Sequence, residues 1–324
     1  MPKLGIQRLR PNSVLVVDGS YLLHRAMHVP GAESGPNGYP VGAIHKALQS
    51  LTSIVRALTP VRVFWVHDRE HHPMRTQLYP EYKQKSFKSE EDQQEAEHYR
   101  EVYHYQRDLL LQWLPYFGVH VVNGPYESDD SIWYLTTALA QYNIHSVVVS
   151  EDHDFCQLLI SDHVQVYAPH KEVMVNQDTW ALWTKWAPDQ IVMAKAILGD
   201  SSDNIPSPCA GLGPTGLKKL FLACQKFTLD EIVDVAGKKF HKHKKYASLQ
   251  EPATQQIIQR NYQLISFTAG FTFTSDYERE YVWKEVCSTL QHNSHAVMQF
   301  LAQYEMANLL RIYGMWMPAF QGLA

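Results

Sequence analysis

Cysteine is scarce in this chain: four in 324 residues, at Cys156, Cys209, Cys224 and Cys287. Their irregular spacing offers neither a zinc pattern nor a disulfide framework, so all four are expected to be reduced thiols in the core or at the surface. Long hydrophobic runs are absent too. Val14 to Val17 is too short for the apolar region of a signal peptide, and no stretch approaches membrane-spanning length, so a cytoplasmic protein with no membrane partner is expected. There is no internal repeat and no low-complexity tail. Nor is there an excess of base, since 29 Lys and Arg stand against 33 Asp and Glu, a net charge of −4. With 45% apolar and 19% charged residues the composition is that of an ordinary globular protein, long enough for one large domain or two smaller ones.

What the chain does have is acid in particular places. Nine carboxylates fall into five short groups, four of them where an apolar strand-like run stops. Asp18 ends Val14-Leu-Val-Val17, Asp68 follows Val61 to His67, and Asp152 and Asp154 follow Val147-Val-Val-Ser150. Glu127, Asp129 and Asp130 come after Val119 to Val122 and open a helical pattern, while Asp200 and Asp203 lie in Gly-Asp-Ser-Ser-Asp-Asn. Strand ends of a parallel sheet open onto the crevice where ligands bind. Two like charges 4 Å apart repel by roughly 4 kcal/mol at an effective dielectric near 20, so such a cluster calls for cations. Oxygen-only donors point to Mg²⁺ or Mn²⁺. Setting the nine aside leaves 24 acids against 29 bases, a surplus of five that permits a polyanionic partner.

Residues 13 to 187 alternate strand-like and helix-like segments, the pattern of an α/β domain with a mainly parallel sheet. A helix is expected from Val41 to Leu58, another from Glu101 to Phe117, and a hairpin over 164–175. Between Asp68 and about Arg100 the pattern breaks, and Arg69, Arg75, Lys83, Lys85 and Lys88 alternate with Tyr79, Tyr82 and Phe87 before an acidic run. An insertion of this length beside an acidic strand end reads as a functional lid, and its mix of cations and rings suits a single nucleic-acid strand. After Pro188 the chain turns helical, with helices near 190–198, 214–225 and 229–235.

Asp152 and Asp154, two apart in an extended segment, can face one way, and Asp200 and Asp203 share a face on a helical turn. Paired carboxylates at loop starts are otherwise helix caps. His67, Asp68, His71 and His72 also raise a histidine–aspartate metal hydrolase, but those sites are built on helices and the run before His67 is strand-like, which makes the histidines lid-base or surface residues. Gly211-Leu-Gly213-Pro-Thr-Gly216 matches a dinucleotide motif in letters only, because no strand precedes it. A tight turn whose amides face a nucleic-acid phosphate at the start of the helix from Pro214 fits better. The run from Gly237 to Tyr246 carries five lysines, Lys242 among them, and no acid, so it is a solvated face or a phosphate-tracking surface.

In order, Val-Val-Asp18-Gly-Ser, Arg25, Arg75, Tyr82-Lys83, Glu127-Ser-Asp129-Asp130, Asp152-His-Asp154-Phe-Cys-Gln-Leu-Leu and Gly-Asp200-Ser-Ser-Asp203-Asn-Ile-Pro resemble the 5′-nucleases. These are the flap endonucleases and 5′→3′ exonucleases of bacteria and bacteriophages, including the nuclease domain of bacterial DNA polymerase I. The resemblance covers about residues 13 to 225. It implies a PIN-like α/β core over 1–187 with an inserted arch over about 69–100, a helix-three-turn-helix lobe over 188–270, and a C-terminal helical segment over 271–324 that packs back on the core. It implies one metal on Asp18, Asp68, Glu127 and Asp129 with Asp130 close by, and a second on Asp152, Asp154, Asp200 and Asp203. Asp18 and Asp154 carry catalysis through the metals, with Lys83 and Arg75 offsetting charge on the phosphate. Arg25, Arg75, Tyr82 and Lys83 become contacts to the 5′ strand, and Gly211, Gly213, Lys218, Lys219 and Lys242 contacts to duplex, with K⁺ at the glycine turn. That turn departs from the family's Gly-Val-Pro-Gly-Ile-Gly-x-Lys-Thr by one added residue, which displaces the following lysine to Lys218 or Lys219.

The implied function is metal-dependent hydrolysis of DNA at flaps, nicks, gaps or 5′ ends in replication or repair, by a monomer working beside a separate DNA polymerase. RNA–DNA primer junctions are a further substrate. The alternatives are an RNase H-like primer-removing nuclease on the same fold and a catalytically weak structure-specific DNA-binding protein.

Overall fold

The computed structural model describes residues 12–84, 87–269, 276–286, 290 and 292–323; Lys85 and Cys287 lie outside them. The first half runs β1 (Val14–Asp18), α1 (Gly19–Met27), α2 (Gly42–Leu58), β2 (Arg62–His67), α3 (Pro73–Leu78), α4 (Glu90–Trp113), β3 (His120–Asn123), α5 (Ser128–Gln141) and β4 (Ser146–Val149). A 3₁₀ segment over His153–Ile160 precedes β5 (Val164–Ala168) and β6 (Val173–Val175). Then come α6 (Ile191–Leu198), α7 (Pro214–Phe221), α8 (Leu229–Lys239), α9 (Pro252–Ile265), α10 (Asp276–Val286), α11 (Ser294–Gln303), α12 (Ala307–Arg311) and α13 (Tyr313–Gln321).

The six strands form one sheet in the order β3-β2-β1-β4-β5-β6, parallel except for the β5–β6 hairpin. Strands rich in Val suit a sheet covered on both sides. The alternation of side chains sorts them: Val14, Val16, Phe64, Val66, Val148 and Val166 join one core, Leu15, Val17, Val63, Trp65, Val147 and Val149 the other. The first core continues through α5 into the helical lobe, where Ile191, Ile197, Leu217 and Ile258 belong to it, so no apolar boundary falls at Pro188. The second holds α1, α2, part of α4 and the aromatic residues Phe300, Trp316 and Phe320 of the C-terminal helices. Because the chain leaves β1 toward β2 and returns on its other side at β4, the strand order reverses at β1, and the crevice lies there.

Two local features set the mouth of that crevice. Gly19 follows Asp18 at the tip of β1, and a Cβ there would sit 2.1 Å from the Trp65 indole Nε1, so the strand-to-helix turn can approach β2 only without a side chain. The insertion is more ordered than the sequence reading expects. Helix α4 begins at Glu90, eleven residues before the expected Glu101, because Ser89 caps it through the Asp92 N–H and Glu90, Glu91 and Asp92 fill its first turn. Its first two turns stand clear of the core and carry no apolar period, and Tyr99 is where it first packs against the second core. Its second half is held by Gln106, fully buried, whose Oε1 accepts from the N–H groups of Ala43 and Ile44 while its Nε2 donates to the Ala32 carbonyl.

Gln106 thereby satisfies the first turn of α2, where Val41 offers no side-chain cap. Replacing it with Leu strands the buried Ile44 N–H, while the Ala43 N–H and the Ala32 carbonyl keep their bond to each other, and about 1–3 kcal/mol of stability should be lost. Urea unfolding checks this, and a loss below about 0.5 kcal/mol would mean that water replaces the amide.

Candidate metal centre and nucleic-acid interface

Asp18 caps α1: its Oδ1 accepts from the Tyr21 N–H at 3.0 Å and its Oδ2 from the Ser150 hydroxyl at 2.9 Å, which ties the end of β1 to the end of β4. Asp68 reaches from β2 to the start of α5, where the N–H and hydroxyl of Ser128 both donate to its Oδ1 at 2.8 Å. Glu127 is 3% exposed and receives Lys83 Nζ at 2.6 Å, the Tyr82 hydroxyl at 3.1 Å and Arg75 at 3.2 Å.

Three expectations need correction at this end. Asp130 is not turned to a metal, because both of its oxygens accept from Arg75 in a two-pronged pair at 2.7 and 2.8 Å. Arg75 itself is 2% exposed, held beneath Glu127 and unable to reach a phosphate or strand. Tyr82 is 3% exposed and fixed on Glu127, so it offers no face to a base. The three build a floor under the carboxylates. His72, expected at the lid base or surface, is buried and caps α3 by accepting from the Met74 N–H, and His67 is buried at the end of β2. Lys83 alone of the expected insertion contacts faces the crevice, a quarter exposed, between Glu127 and Asp203 at 3.9 Å. Its backbone is left-handed, φ 53°, and its N–H donates to the Asp203 carbonyl at 3.0 Å; beside it the Asn204 side chain donates to the Glu81 carbonyl at 2.8 Å. The insertion is thus stitched to the turn that carries the last carboxylates.

At the other end Asp152 caps the 3₁₀ segment through the Asp154 N–H, and Asp200 and Ile205 pair across a tight turn that aims Asp200 and Asp203 back at Asp154. Gln157 fixes this segment to the lobe by bonding the Ile265 carbonyl and the Phe267 N–H, both at 3.1 Å. One oxygen each of Asp154, Asp200 and Asp203 lie within 4.8 Å of one another, the one trio among the described residues close enough to share an ion. Lys195 was not anticipated. Its ammonium lies between Asp154 Oδ1 and Asp200 Oδ2, 2.7 Å from the latter. A lone lysine in Ile-Val-Met-Ala-Lys-Ala-Ile-Leu, five residues before Asp200, was the available signal.

The carboxylates disturb one another. Burial, then Asp68, pushes Asp18 up to about 7, with Asp152 adding to it, and burial followed by Asp152 does the same to Asp154. Asp129 is raised well above the usual range by burial and by Asp152, Asp18 and Asp68. Glu127 goes the other way, held down to about 2 against its burial by Lys83 and Arg75. The candidate metal donors of the crevice are all oxygens, burial and mutual repulsion outweigh the relief that Lys83 and Lys195 bring, and both facts fit hard divalent cations.

A cleft of about 650 Å³ opens from Asp68 between α1 and α4, lined by His24, His28, Arg69, Tyr99, Arg100, Tyr103, His104 and Arg107. His24 stacks on Tyr103 with ring centres 4.0 Å apart. These cations and rings were not singled out by the sequence reading, apart from Arg69. Arg25 instead points away, bonded to the Tyr21 hydroxyl and lining a groove with Lys46 and Glu172. On the lobe, Gly211 adopts φ 77° and Gly213 caps α7; both are exposed, as are Lys218, Lys219 and Lys242. The lysine run folds onto that turn, with the Tyr246 hydroxyl donating to the Gly216 carbonyl at 2.9 Å and a Cβ on Gly216 3.2 Å from Lys245 Nζ. Among the described residues no helix is long and apolar enough to cross a membrane.

Fold and site together define an α/β protein with a polycarboxylate crevice at the switch point of a parallel sheet and a helical lobe beside its mouth. The family described as 5′-3′ exonuclease, N-terminal resolvase-like domain, matches residues 13–186, and the chain belongs to it. A 5′-3′ exonuclease of Mycoplasmopsis pulmonis is 29% identical over 212 residues, 64% of this chain and 65% of that protein. The thermostable DNA polymerase I of Thermus thermophilus is 29% identical over 211 residues, 64% of this chain and 24% of its own. The match therefore spans just under two thirds of the exonuclease and about a quarter of the polymerase. A flap endonuclease of bacteriophage T5, solved as a pseudo-enzyme-product complex with DNA and metal ions, has the same fold, with a TM-score of 0.65 at 18% identity over 85% of this chain and 98% of that one.

The raised carboxylates carry a sign. Their protonation favours the folded state, so the stability they allow is complete below about pH 4 and is lost as pH rises through about 7. In EDTA the melting temperature should fall by roughly 5 °C between pH 5.5 and 8, and added Mg²⁺ should recover more at pH 8 than at 5.5. A metal-free melting temperature that climbs over this interval would contradict the repulsion.

Proposed function

We propose that the chain hydrolyses DNA phosphodiesters near 5′ ends, at flaps, nicks and gaps, with two Mg²⁺ or Mn²⁺ ions. The observation that carries this reading is the convergence of carboxylates from four strand ends and the 200–205 turn on one crevice with Lys83 at its centre. Asp154, Asp200 and Asp203 would hold one ion, and Asp18, Asp68, Asp129 and Asp152 the other. When bound, the ions lower the pKa of a water and stabilise the leaving oxygen.

The rest of the chemistry belongs to the side chains. Lys83 presents an ammonium fixed between the two halves, where a scissile phosphate meets it, and its pKa, raised well above the usual value by Glu127, keeps it charged. Glu127, clamped by Arg75, Tyr82 and Lys83, acts by positioning Lys83. The cleft between α1 and α4 suits the single 5′ strand: Arg69, Arg100 and Arg107 address phosphates while His24, Tyr99 and Tyr103 offer rings. The exposed glycine turn with Lys218, Lys219 and the lysine run suits duplex, and K⁺ at that turn belongs to the same reading. Phosphate and metal do not report a 2′-hydroxyl, so RNA–DNA primer junctions fall within the substrate class. A monomer in the cytoplasm, acting beside a DNA polymerase, is the setting that goes with it.

Asp154→Asn together with Asp203→Asn should reduce cleavage of an end-labelled flap to background while duplex affinity in EDTA stays within about threefold, because these groups hold cations and not the fold. Normal turnover in saturating Mg²⁺ would remove the metal assignment. Changing Lys238, Lys239, Lys242, Lys244 and Lys245 to Gln should weaken duplex and flap binding alike and flatten the log–log salt slope by close to one unit for each phosphate that is no longer neutralised. Titrations at several salt concentrations decide it; an unchanged slope would make the run a solvated face.

A further inference from the structure

The two oxygens nearest Lys195, Asp154 Oδ1 and Asp200 Oδ2, are buried and find no hydrogen-bond partner elsewhere, so among the described residues its ammonium is the cation that offsets them. They belong to the same two side chains that, with Asp203, approach closely enough to share an ion. An ammonium seated there and a divalent ion bound by that trio compete for the same charge. The ammonium can clear the pocket by a change of side-chain conformation, because the lysine side chain is one-fifth exposed and its four-carbon stem rises from α6.

We propose that Lys195 is a resident counter-cation of the Asp154, Asp200 and Asp203 pocket, which stabilises the metal-free protein and is displaced when a divalent ion binds there. This rests on the reading of the crevice as a metal centre but not on any activity toward DNA. Lys83 does not duplicate the role: it is bound to Glu127 at 2.6 Å and approaches only Asp203, at 3.9 Å. The arrangement has a physical logic. Eight carboxylates that meet without cations would push the lobe from the sheet, and one tethered ammonium, always at hand, reduces that repulsion at the lobe side where Asp200 and Asp203 arrive. The consequence is a divalent ion that binds more weakly than its donor set allows.

The test uses the whole chain without DNA, so its outcome is independent of whether the protein cleaves nucleic acid. Calorimetric titration of wild type and Lys195→Met with Mn²⁺ should show the weaker of two binding steps tightened at least tenfold in the variant, equivalent to about 1.4 kcal/mol. The variant should melt at least 3 °C lower in EDTA, and saturating Mn²⁺ should close the gap. Affinity unchanged or reduced would overturn the proposal, and so would an unaltered melting temperature in EDTA. Because Lys195→Met can fail to fold without metal, a second measurement needs only wild type. Reductive methylation with ¹³C-formaldehyde should modify Lys195 at least threefold faster in saturating Mg²⁺ than in EDTA, with Lys242 as an unaffected reference. An equal or slower rate in Mg²⁺ would show that the ammonium stays where it is.

Discussion

Repulsion among carboxylates brought together at the switch point of the sheet is the constraint around which the rest of this molecule is arranged. Asp18, Asp68, Asp129, Asp152 and Asp154 arrive from strand ends that pack against one another in parallel register, and Asp200 and Asp203 arrive from the helical lobe. The protein meets the repulsion differently at its two ends. Beneath Glu127 it is neutralised for good, since Arg75 pairs with Asp130 and touches Glu127, and Tyr82 and Lys83 complete the shell. At Asp18, Asp129 and Asp154 burial and the neighbouring carboxylates prevail, even with Lys195 beside Asp154, and the carboxyl groups are raised. A buried ion pair contributes little net stability, but removing one partner costs about 3–5 kcal/mol. The Arg75–Asp130 pair is therefore best understood as what fixes Glu127 and Lys83 in place.

That division also explains why sheet, insertion and lobe share one core. A metal crevice assembled from both sides keeps its geometry only if the sides cannot separate. Here three kinds of contact prevent it: the apolar cluster running from β1 into α6, α7 and α9, the Gln157 bridge to Ile265 and Phe267, and the bonds across the crevice from the Lys83 N–H and the Asn204 side chain. The left-handed backbone at Lys83 and Asn204 is strain located at those crossing points. The first turns of α4, by contrast, are polar, capped by Ser89, acidic and exposed, and they lead into the Arg- and Tyr-lined cleft.

Much of the fold was legible in the order of residues because strands covered on both faces must be β-branched and apolar, as Val14–Val17 and Val147–Val149 are, and because each stops at an acid. The family motifs were legible for the same reason, being short and contiguous. The part of α4 before Glu101 was not, since a helix that stands in solvent has no apolar period to read, and its cap at Ser89 and acidic first turn are the local signs. Lys195 could have been found as a single charge in an apolar helix beside Asp200. The cleft cations were harder, because Arg69, Arg100 and Arg107 are dispersed in sequence and share a surface only once α4 lies along α1.

The sequence by itself determined the parallel α/β core, the strand ends that carry acid, the oxygen-only donor set and the preference for hard cations that follows from it, because each depends on residue type and near neighbours. Tertiary structure alone decided which charges face the crevice and which lie under it. Asp130 is adjacent to Asp129, and Tyr82 to Lys83, yet one of each pair is committed to a partner 45 to 55 residues away and buried. Adjacency on a helix or turn sends side chains to different faces, and whether a face meets solvent, metal or protein is set by what packs against it from elsewhere in the chain.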